Sequence, residues 1–450
     1  MGSPLRLAGR RIDVTAAALG AATVVLRVPR ALGEGLWQDE VASARILREP
    51  TLGRVLGHVA RTESTPPLWY GLGWAVHQVG VGIVDVRLLS ALFDGVCVAL
   101  VVVLARRVVP PVPAVLAGVL VALGGNFAFA GRELRAYMLL ALLAIAFALL
   151  LDRRRPGPAL AVVVWAGALT HYFFLFTVLA GLAWVWLEST ARRVRLRATA
   201  WIAVGLAAAA PWLPWALRQY RQDRYAWIGP FDGRVVAGTA LRLFTPLIQV
   251  EALVVAAVLL AAAGALRLAR TPTGRLVAAL AFGPWLLATV LWASGVRIYA
   301  QRNLIEIGAF LAIAAAAALR GRLPVAVLAA AALCSYGWLQ LQPQVPYAGI
   351  ASTLVAEGWR PSDPVLVFGS PYMLRSPLEW YLPRNPRLAI VRGPDRCRES
   401  YVVAGSRRAR MLADDLAHPR RVGTFVVARA HLDETVRDSS LLAAPSAGCA

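Results

Sequence analysis

The chain has 450 residues, a formal net charge of +22 and a hydrophobic content of 58%. This apolar content excludes an ordinary soluble globular protein and predicts many membrane helices. The positive charge does not indicate nucleic-acid binding, because the arginines cluster in short turns between apolar runs, as in the cytoplasmic loops of membrane proteins.

Stretches long enough to cross a bilayer follow one another along most of the chain. A crossing helix needs about 20 mostly apolar residues. The candidate spans are 13–31, 88–107, 111–129, 134–151, 157–171, 172–190, 198–217, 250–269, 273–293, 302–319 and 322–340. We therefore predict an all-α polytopic membrane protein with about 11 transmembrane helices.

The arginine clusters predict the orientation of these spans. They occupy alternate loops, and placing all of them in the cytoplasm also makes the N-terminus cytoplasmic and the C-terminal tail extracytoplasmic. The segment 66–83 is apolar as well, but counting it as a span would invert every later loop. We interpret it as a helix in the outer interface. A composition rich in Ala, Arg, Val and Leu, without lysine, indicates a bacterial protein and hence the bacterial plasma membrane.

The last part of the chain differs in composition from the rest. We predict a transmembrane domain at 1–340, with an outer loop at 32–87, and a small extracytoplasmic α/β domain at 341–450. In this second domain the predicted strands are 363–369, 388–391 and 424–428, and the predicted helical stretches are 347–357 and 405–417. Cys397 and Cys449 could form a disulfide there if the compartment is oxidising.

An acidic pair, Asp39 and Glu40, lies where the first span should leave the membrane. A segment of prolines and aromatic residues follows about 25 residues later, with Pro66, Pro67, Trp69 and Tyr70. Ionisable groups near a bilayer are costly and usually functional. The alternative interpretation is the start of an ordinary solvated loop.

Several further polar residues fall on the same predicted outer side: Arg87, Arg132, Arg135, Tyr137, His171, Tyr172, Arg297 and Arg302. Positive charge is rare on that side, so Arg132 and Arg135, beside a predicted helix start, indicate a site for phosphate or pyrophosphate. Interfacial snorkelling is the alternative explanation. His171 interrupts an apolar run. A divalent metal is left open, since no ligand spacing supports one.

Taken in order, these motifs resemble a known family. They are Trp37-Gln38-Asp39-Glu40, Thr65-Pro66-Pro67-Leu68-Trp69-Tyr70, Arg87 with Ala91, Gly131-Arg132-Glu133-Leu134-Arg135-Ala136-Tyr137 and Thr170-His171-Tyr172-Phe173. The set, over roughly residues 10–320, is similar to the GT-C class of membrane glycosyltransferases, in particular the dolichyl-phosphate-mannose protein mannosyltransferases and the related bacterial aminoarabinose transferases.

The resemblance implies an inverting transfer of a sugar from a polyprenyl-phosphate donor on the outer face. It also implies that Asp39 is the catalytic base. Glu40 is either the alternative base or a partner that would face a metal ion. The outer arginines, with Tyr137, would bind the donor phosphate. The groove for lipid and acceptor would be lined by Pro66, Pro67, Trp69, Tyr70, His171 and Tyr172. The sugar is not identified, and the acceptor could be a glycan, a lipid or a protein.

Two other classes of protein remain open. A lipid or solute transporter would also have many spans, but it should show internal repeats and polar residues at mid-bilayer. A non-catalytic membrane scaffold with a glycan-binding outer domain would leave Asp39, Glu40 and the outer arginines unexplained.

Overall fold

The computed structural model is mostly helical. It describes residues 6–7, 10–11, 13–189, 191–222, 225, 228–243, 251–319, 321–341, 346–360, 365–368, 377–378, 380–382, 388–389, 400–405, 416–422 and 425–430. Within these residues the helices are α1 Val14–Gly33, α2 Gln38–Leu47, α3 Leu52–Thr62, α4 Leu68–Gln78, α5 Arg87–Ala105, α6 Pro111–Leu123, α7 Gly125–Ala130, α8 Tyr137–Asp152, α9 Pro158–Ala168, α10 Phe174–Glu188, α11 Arg192–Ala209, α12 Leu213–Arg221, α13 Gly233–Arg242, α14 Glu251–Leu268, α15 Pro272–Ala293, α16 Ile305–Ala318, α17 Arg322–Leu341 and α18 Tyr347–Ala356.

Every stretch predicted to cross the membrane contains a helix. Five described helical segments are long and apolar enough to span a bilayer: Val14–Gly33, Arg87–Ala105, Arg192–Arg221, Pro272–Ala293 and Arg322–Leu341. The other six predicted spans hold the helices α6, α8, α9, α10, α14 and α16, which have 11–18 residues. These helices agree with a multi-pass membrane protein, while the count of 11 spans stays a prediction.

The helix α4 is too short to cross a bilayer. It has 11 residues, and at 1.5 Å per residue it reaches only about half of the roughly 30 Å hydrocarbon core. It begins directly after Pro67, as predicted for a helix that starts at prolines. The helix α9, within the predicted span 157–171, has the same length, so length does not decide whether 66–83 crosses the membrane, and our interpretation of this segment stays a prediction.

Close contacts between helices occur where glycines remove a side chain. A Cβ atom added to Gly20 of α1 would lie 2.5 Å from the carbonyl oxygen of Gly95 in α5. One added to Gly205 of α11 would lie 2.5 Å from the carbonyl oxygen of Ala161 in α9. Small residues of this kind let membrane helices pack backbone to backbone, which replaces the hydrophobic driving force that lipid cannot supply.

The chain divides into two compact units, residues 1–32 with 46–341 and residues 33–45 with 342–450. The second unit contains a mixed five-stranded sheet in the order β4-β3-β5-β7-β6. Its strands are β3 Val365–Phe368, β4 Leu388–Ala389, β5 Ser400–Gly405, β6 Leu416–Val422 and β7 Phe425–Ala430, while β1 Arg6–Leu7 and β2 Arg10–Arg11 pair near the N-terminus. The core of the second unit includes Tyr347, Ile350, Val403 and Val427.

Three details differ from the prediction. The predicted domain division left residues 33–45 in the transmembrane domain, but they pack with the tail. The strands β5 and β6 were not predicted, and residues at both ends of the predicted helical stretch 405–417 belong to them. The middle of that stretch, together with Cys397 and Cys449, lies outside the described residues.

Candidate functional site

The acidic pair lies in the second unit, in the first turn of α2. The carboxylate of Glu40 accepts a hydrogen bond from the backbone N–H of Trp37 at 3.2 Å, so it closes the start of the helix. Glu40 is 1% exposed, whereas Asp39 is only partly buried. The two carboxylates therefore differ in burial: Glu40 is enclosed at the helix start, and Asp39 is the more exposed of the two.

The tail of the chain surrounds the residues that precede this pair. The hydroxyl of Tyr381 accepts a hydrogen bond from the backbone N–H of Leu36 at 2.7 Å. Trp37 packs against the core of the second unit. Burial, and secondarily the charge of Glu40, raises the pKa of Tyr347 to about 12. The acidic pair is thus held by the C-terminal unit, which the sequence did not suggest.

The first unit holds a buried cluster of polar side chains, which we call the Glu63 cluster: Glu63, Thr65, Tyr70 and Arg135. The hydroxyl of Tyr70 donates to Oε2 of Glu63 at 2.7 Å and lies 3.2 Å from the hydroxyl of Thr65. Nη1 of Arg135 donates to the same oxygen of Glu63 and to the hydroxyl of Tyr70, at 3.2 Å each. Every member is at most 8% exposed.

The electrostatics of this cluster follow from its burial. Burial raises the pKa of Tyr70 well above its usual value, the positive charge of Arg135 opposes this, and the negative charge of Glu63 adds to it. Tyr70 is therefore a neutral hydrogen-bond donor. A buried carboxylate needs a paired charge and further hydrogen bonds, and Arg135 and Tyr70 provide both.

Arg135 follows a turn that α5 holds in place. The hydroxyl of Ser90 donates to the backbone carbonyl of Glu133 at 2.7 Å. A buried ion pair supports the start of the turn, with Nε of Arg27 2.7 Å from Oδ2 of Asp94. A Cβ atom added to Gly131 would lie 2.5 Å from that Asp94 oxygen. Only glycine fits there, so the turn lies directly against the ion pair.

The two arginines of this turn have different neighbours. Arg132 and Arg135 lie three residues apart beside a predicted helix start, and this spacing predicts that they share one helix face. In the structure α8 begins only at Tyr137, so both residues precede the helix. Arg135 belongs to the buried Glu63 cluster. Arg132 is stacked on the ring of Phe129, at 5.5 Å from guanidinium carbon to ring centre, and lines a separate cavity. Their shared role in binding phosphate stays a prediction.

His171 is a neutral, buried histidine in the turn between α9 and α10. Burial, followed by the charges of Arg135 and Arg302, lowers its pKa to about 3. Its Nδ1 accepts a hydrogen bond from the backbone N–H of Phe173 at 3.2 Å, so the proton of the neutral ring is on Nε2. The ring of Tyr137 lies 6.1 Å away, centre to centre. His171, Tyr137, Arg135 and Arg302 thus share one electrostatic environment.

The residues predicted to line the groove are mostly buried. Pro66, Pro67, Trp69 and Tyr70 are all buried, and the rings of Trp69 and Tyr70 meet edge to face at 5.3 Å. The hydroxyl of Tyr172 is partly buried: it donates to Oε1 of Gln219 at 2.6 Å and accepts from Nε1 of Trp212 at 3.1 Å.

The remaining arginines predicted to bind phosphate differ in exposure. Arg87 is 2% exposed, and its Nη1 donates to the backbone carbonyl of Ala31 at 3.0 Å, which ties the start of α5 to the end of α1. Arg297 is exposed, whereas Arg302 is partly buried in a short 3₁₀ helix. Of the three, Arg302 is the one whose charge acts on His171.

Glu63 was not among the predicted site residues. Its local sequence offered one signal, a carboxylate directly before the Ser-Thr-Pro-Pro segment. Its partner Arg135 is 72 positions away, so no spacing pattern could reveal the pair. Among the described residues, no group of three or more His, Cys, Asp or Glu side chains could hold a metal ion.

Comparison with known proteins identifies the fold. No protein-family model matches the chain, and no curated protein matches it. Among solved structures, ArnT from Cupriavidus metallidurans in the apo state has a TM-score of 0.56 at 13% identity, covering 95% of this chain and 98% of that one. The chain has the fold of the GT-C membrane glycosyltransferases.

Further structures support the same assignment of fold. ArnT bound to undecaprenyl phosphate has a TM-score of 0.55 at 15% identity, with 95% of this chain and 99% of that one covered. The archaeal oligosaccharyltransferase AglB from Archaeoglobus fulgidus, in complex with an inhibitory peptide and a dolichol-phosphate, has a TM-score of 0.50 at 11% identity and covers 93% and 74%. The GT-C resemblance inferred from the motifs is confirmed.

Proposed function

We propose that this protein is an inverting glycosyltransferase, which moves a sugar from a polyprenyl-phosphate donor to a hydroxyl acceptor on the outer face of the bacterial plasma membrane. The observation that carries the proposal is the buried Glu63 cluster, with His171 and Arg302 in the same environment. Buried, charged groups are costly and cluster at functional sites. The GT-C fold, shared with a protein bound to undecaprenyl phosphate, supports this reaction class.

The proposed chemistry begins with the acidic pair. Asp39, the more accessible carboxylate, removes the proton of the acceptor hydroxyl as its oxygen attacks C1 of the sugar. The bond from C1 to the phosphate oxygen breaks, and the polyprenyl phosphate leaves with an additional negative charge. Glu40 keeps α2 in position, because its carboxylate is engaged with the backbone of Trp37.

The leaving phosphate is stabilised by positive charges and hydrogen-bond donors that are already in position before the reaction. We propose this role for the outer arginines, Arg87, Arg132, Arg135, Arg297 and Arg302, with Tyr137. Arg135 is supported by Glu63 and Tyr70. In our proposal the groove is walled by Pro66, Pro67, Trp69, Tyr70, His171 and Tyr172, and the neutral His171 offers its Nε2–H as a donor.

The test is a transfer assay with membranes that contain the protein. Labelled polyprenyl-phosphate sugars with mannose, arabinose, glucose or galactose are supplied, and sugar incorporation into envelope glycans, lipids and proteins is measured. We expect transfer with inversion from at least one donor, and loss of transfer in Asp39→Asn. Vectorial movement of the lipid without transfer would instead support a transporter.

The proposed membrane orientation has its own test. Single cysteines in a cysteine-free background should react with an impermeant reagent from outside at Gly229 and Gly233, where an added side chain meets nothing within 4 Å. Cysteines at Arg154 and Arg193 should be protected. Gly131 is unsuitable as a reporter, since a side chain there would collide with Asp94. Outside labelling at Arg154 would contradict the orientation.

A further inference from the structure

A groove in the first unit lies between the start of α6, the end of α16 and the start of α17, and we call it the α6–α17 groove. Its volume is about 340 Å³, which is within the range of ligand pockets. Apart from Arg322, the lining consists of apolar residues, prolines and a glycine, and Val109, Val112, Leu319 and Val325 are among them. In the predicted orientation these helix ends lie at the cytoplasmic surface of the membrane.

Arg322 is the charged residue of this groove, and its side chain is exposed. Within the described part of the chain it pairs with no carboxylate. The arginines that precede the groove in the chain are paired, Arg106 with Asp13 and Arg107 with Asp152. The charge of Arg322 is therefore the one that an external anion can meet at this groove.

The helix ends around the groove add to this positive charge. The helix α6 begins at Pro111 and α17 begins at Arg322, and a helix N-terminus carries partial positive charge. The end of α16 carries partial negative charge, but Nη1 of Arg267 donates to the backbone carbonyl of Ala317 there at 3.1 Å. The electrostatic field at the mouth of the groove therefore favours an anion.

The rest of the groove suits a hydrocarbon chain. Its walls carry no carboxylate, and the side chain of Val112 at its edge is exposed. Beyond the groove, Leu323 and Val327 of α17 are exposed as well, as expected for a helix that faces lipid. Basic pockets between membrane helices on the cytoplasmic side bind the headgroups of anionic lipids. The α6–α17 groove combines such a cation with an apolar channel.

We propose that the α6–α17 groove binds an anionic phospholipid of the cytoplasmic leaflet. One acyl chain lies along Val112, Leu319 and Val325, and the headgroup phosphate meets Arg322 at the start of α17. The bound lipid fills the space between α6 and α17 and so joins α17 to the rest of the unit. This inference does not depend on the proposed function, because it concerns the opposite face of the membrane.

The experiment compares two lipids that differ in headgroup charge. The full-length protein, stripped of lipid in detergent, is titrated with phosphatidylglycerol or with phosphatidylcholine of identical chains, and native mass spectrometry counts the bound lipid. The wild type should bind phosphatidylglycerol about fivefold more tightly, the effect of one arginine near the headgroup. Arg322→Gln should lose this preference, and the control Arg193→Gln, at an exposed position of α11, should keep it. An unchanged preference in Arg322→Gln, or an equal loss in the control, would overturn the inference.

A second pair of variants tests the apolar part of the groove. Val112→Trp places a large ring at its edge and should weaken the binding of both lipids. The matched control is Val162→Trp in α9, because Val162 is 59% exposed and Val112 is 58% exposed. Equal affinities in these two variants would show that the acyl chain does not occupy the groove.

Photoreactive phosphatidylglycerol locates the lipid in the wild type, so the test does not depend on whether a variant inserts. Cross-links should appear in peptides that contain Val112 or Val325, and their absence from both would contradict the proposal. Unlabelled phosphatidylglycerol should reduce these cross-links. An equally strong reduction by polyprenyl phosphate at the same concentration would show that the groove does not select a phospholipid.

Discussion

Arginine–carboxylate pairs occur in two regions of the first unit, and they differ in burial. The side chains of Arg135 and Glu63 are 9% and 7% exposed, and both belong to a hydrogen-bonded cluster. In the basic loops that we predict to be cytoplasmic, Arg107 and Asp152 are 34% and 11% exposed, and Arg275 and Glu188 are 41% and 15% exposed.

This difference in burial determines how much stability is lost when one partner of an ion pair is removed. An exposed ion pair gains little, because water screens the attraction and the long side chains lose entropy. A buried pair cannot lose one partner without leaving an uncompensated charge. The basic loops can therefore vary in detail as long as they stay positive, whereas the Glu63 cluster needs each of its members.

The largest expected effect is catalytic and compares Asp39, in the second unit, with a carboxylate of the basic loops. Asp39→Asn should reduce transfer at least about 100-fold, the lower end for a lost general base, while expression and membrane insertion are retained. The matched variant is Asp152→Asn in a basic loop, whose transfer rate should change little. Initial rates at saturating donor measure both. Near-normal turnover in Asp39→Asn would remove this residue from the mechanism.

The second prediction compares the two classes of ion pair through stability. Arg135→Gln leaves Glu63 buried without its cation and should lower the free energy of unfolding by about 3 kcal/mol or more. Arg275→Gln should cost clearly less, because that pair is more exposed and water screens its attraction. Denaturant unfolding in one detergent gives both values. Equal losses would mean that burial does not distinguish the two regions.

Sequence periodicity and arginine placement located the apolar helices because these signals are local. The interpretation of 66–83 rested only on the arginine pattern and stays a prediction. What the sequence could not provide were contacts between distant residues. Glu63 meets Arg135, and residues 33–45 pack with the tail, through pairings that no local pattern encodes.

The arginines of the 131–137 motif illustrate the same limit. Their spacing suggested one shared face, which requires a helix, but Ser90 and the Arg27–Asp94 pair hold this segment as a turn. Arg242 carried no signal of its own in the sequence. It lines the same cavity as Arg132, and the backbone N–H of Asn126 in α7 donates to the carbonyl of Leu243, the residue after it.

The third prediction uses pH to probe burial near Arg135. His171 has a folded pKa of about 3, lowered mainly by burial, against about 6.5 when unfolded. The unfolded chain binds more protons between these values, so stability is complete above about pH 6.5 and falls as the pH decreases.

Between pH 6.5 and 5 this single group should cost roughly 2 kcal/mol, at 1.36 kcal/mol per pH unit. His171→Gln should flatten this part of the stability profile. The control is His58→Gln, since His58 is more exposed and pairs with Glu49. An unchanged profile in His171→Gln would show that another group titrates.

The smallest expected effect concerns Tyr172. Its side chain is partly buried, so its exposure is between that of the Glu63 cluster and that of the basic loops. Its hydroxyl donates to Gln219, whose Nε2 in turn donates to the backbone carbonyl of Val59 at 3.1 Å. Tyr172→Phe removes two hydrogen bonds, to Gln219 and from Trp212, but keeps the ring that would line the groove. We therefore expect a loss of about 1–2 kcal/mol in stability and little change in KM for the donor. Tyr220→Phe, at an exposed position, should change neither. A large increase in KM for Tyr172→Phe would show that the hydroxyl contacts the substrate instead of serving the helix packing.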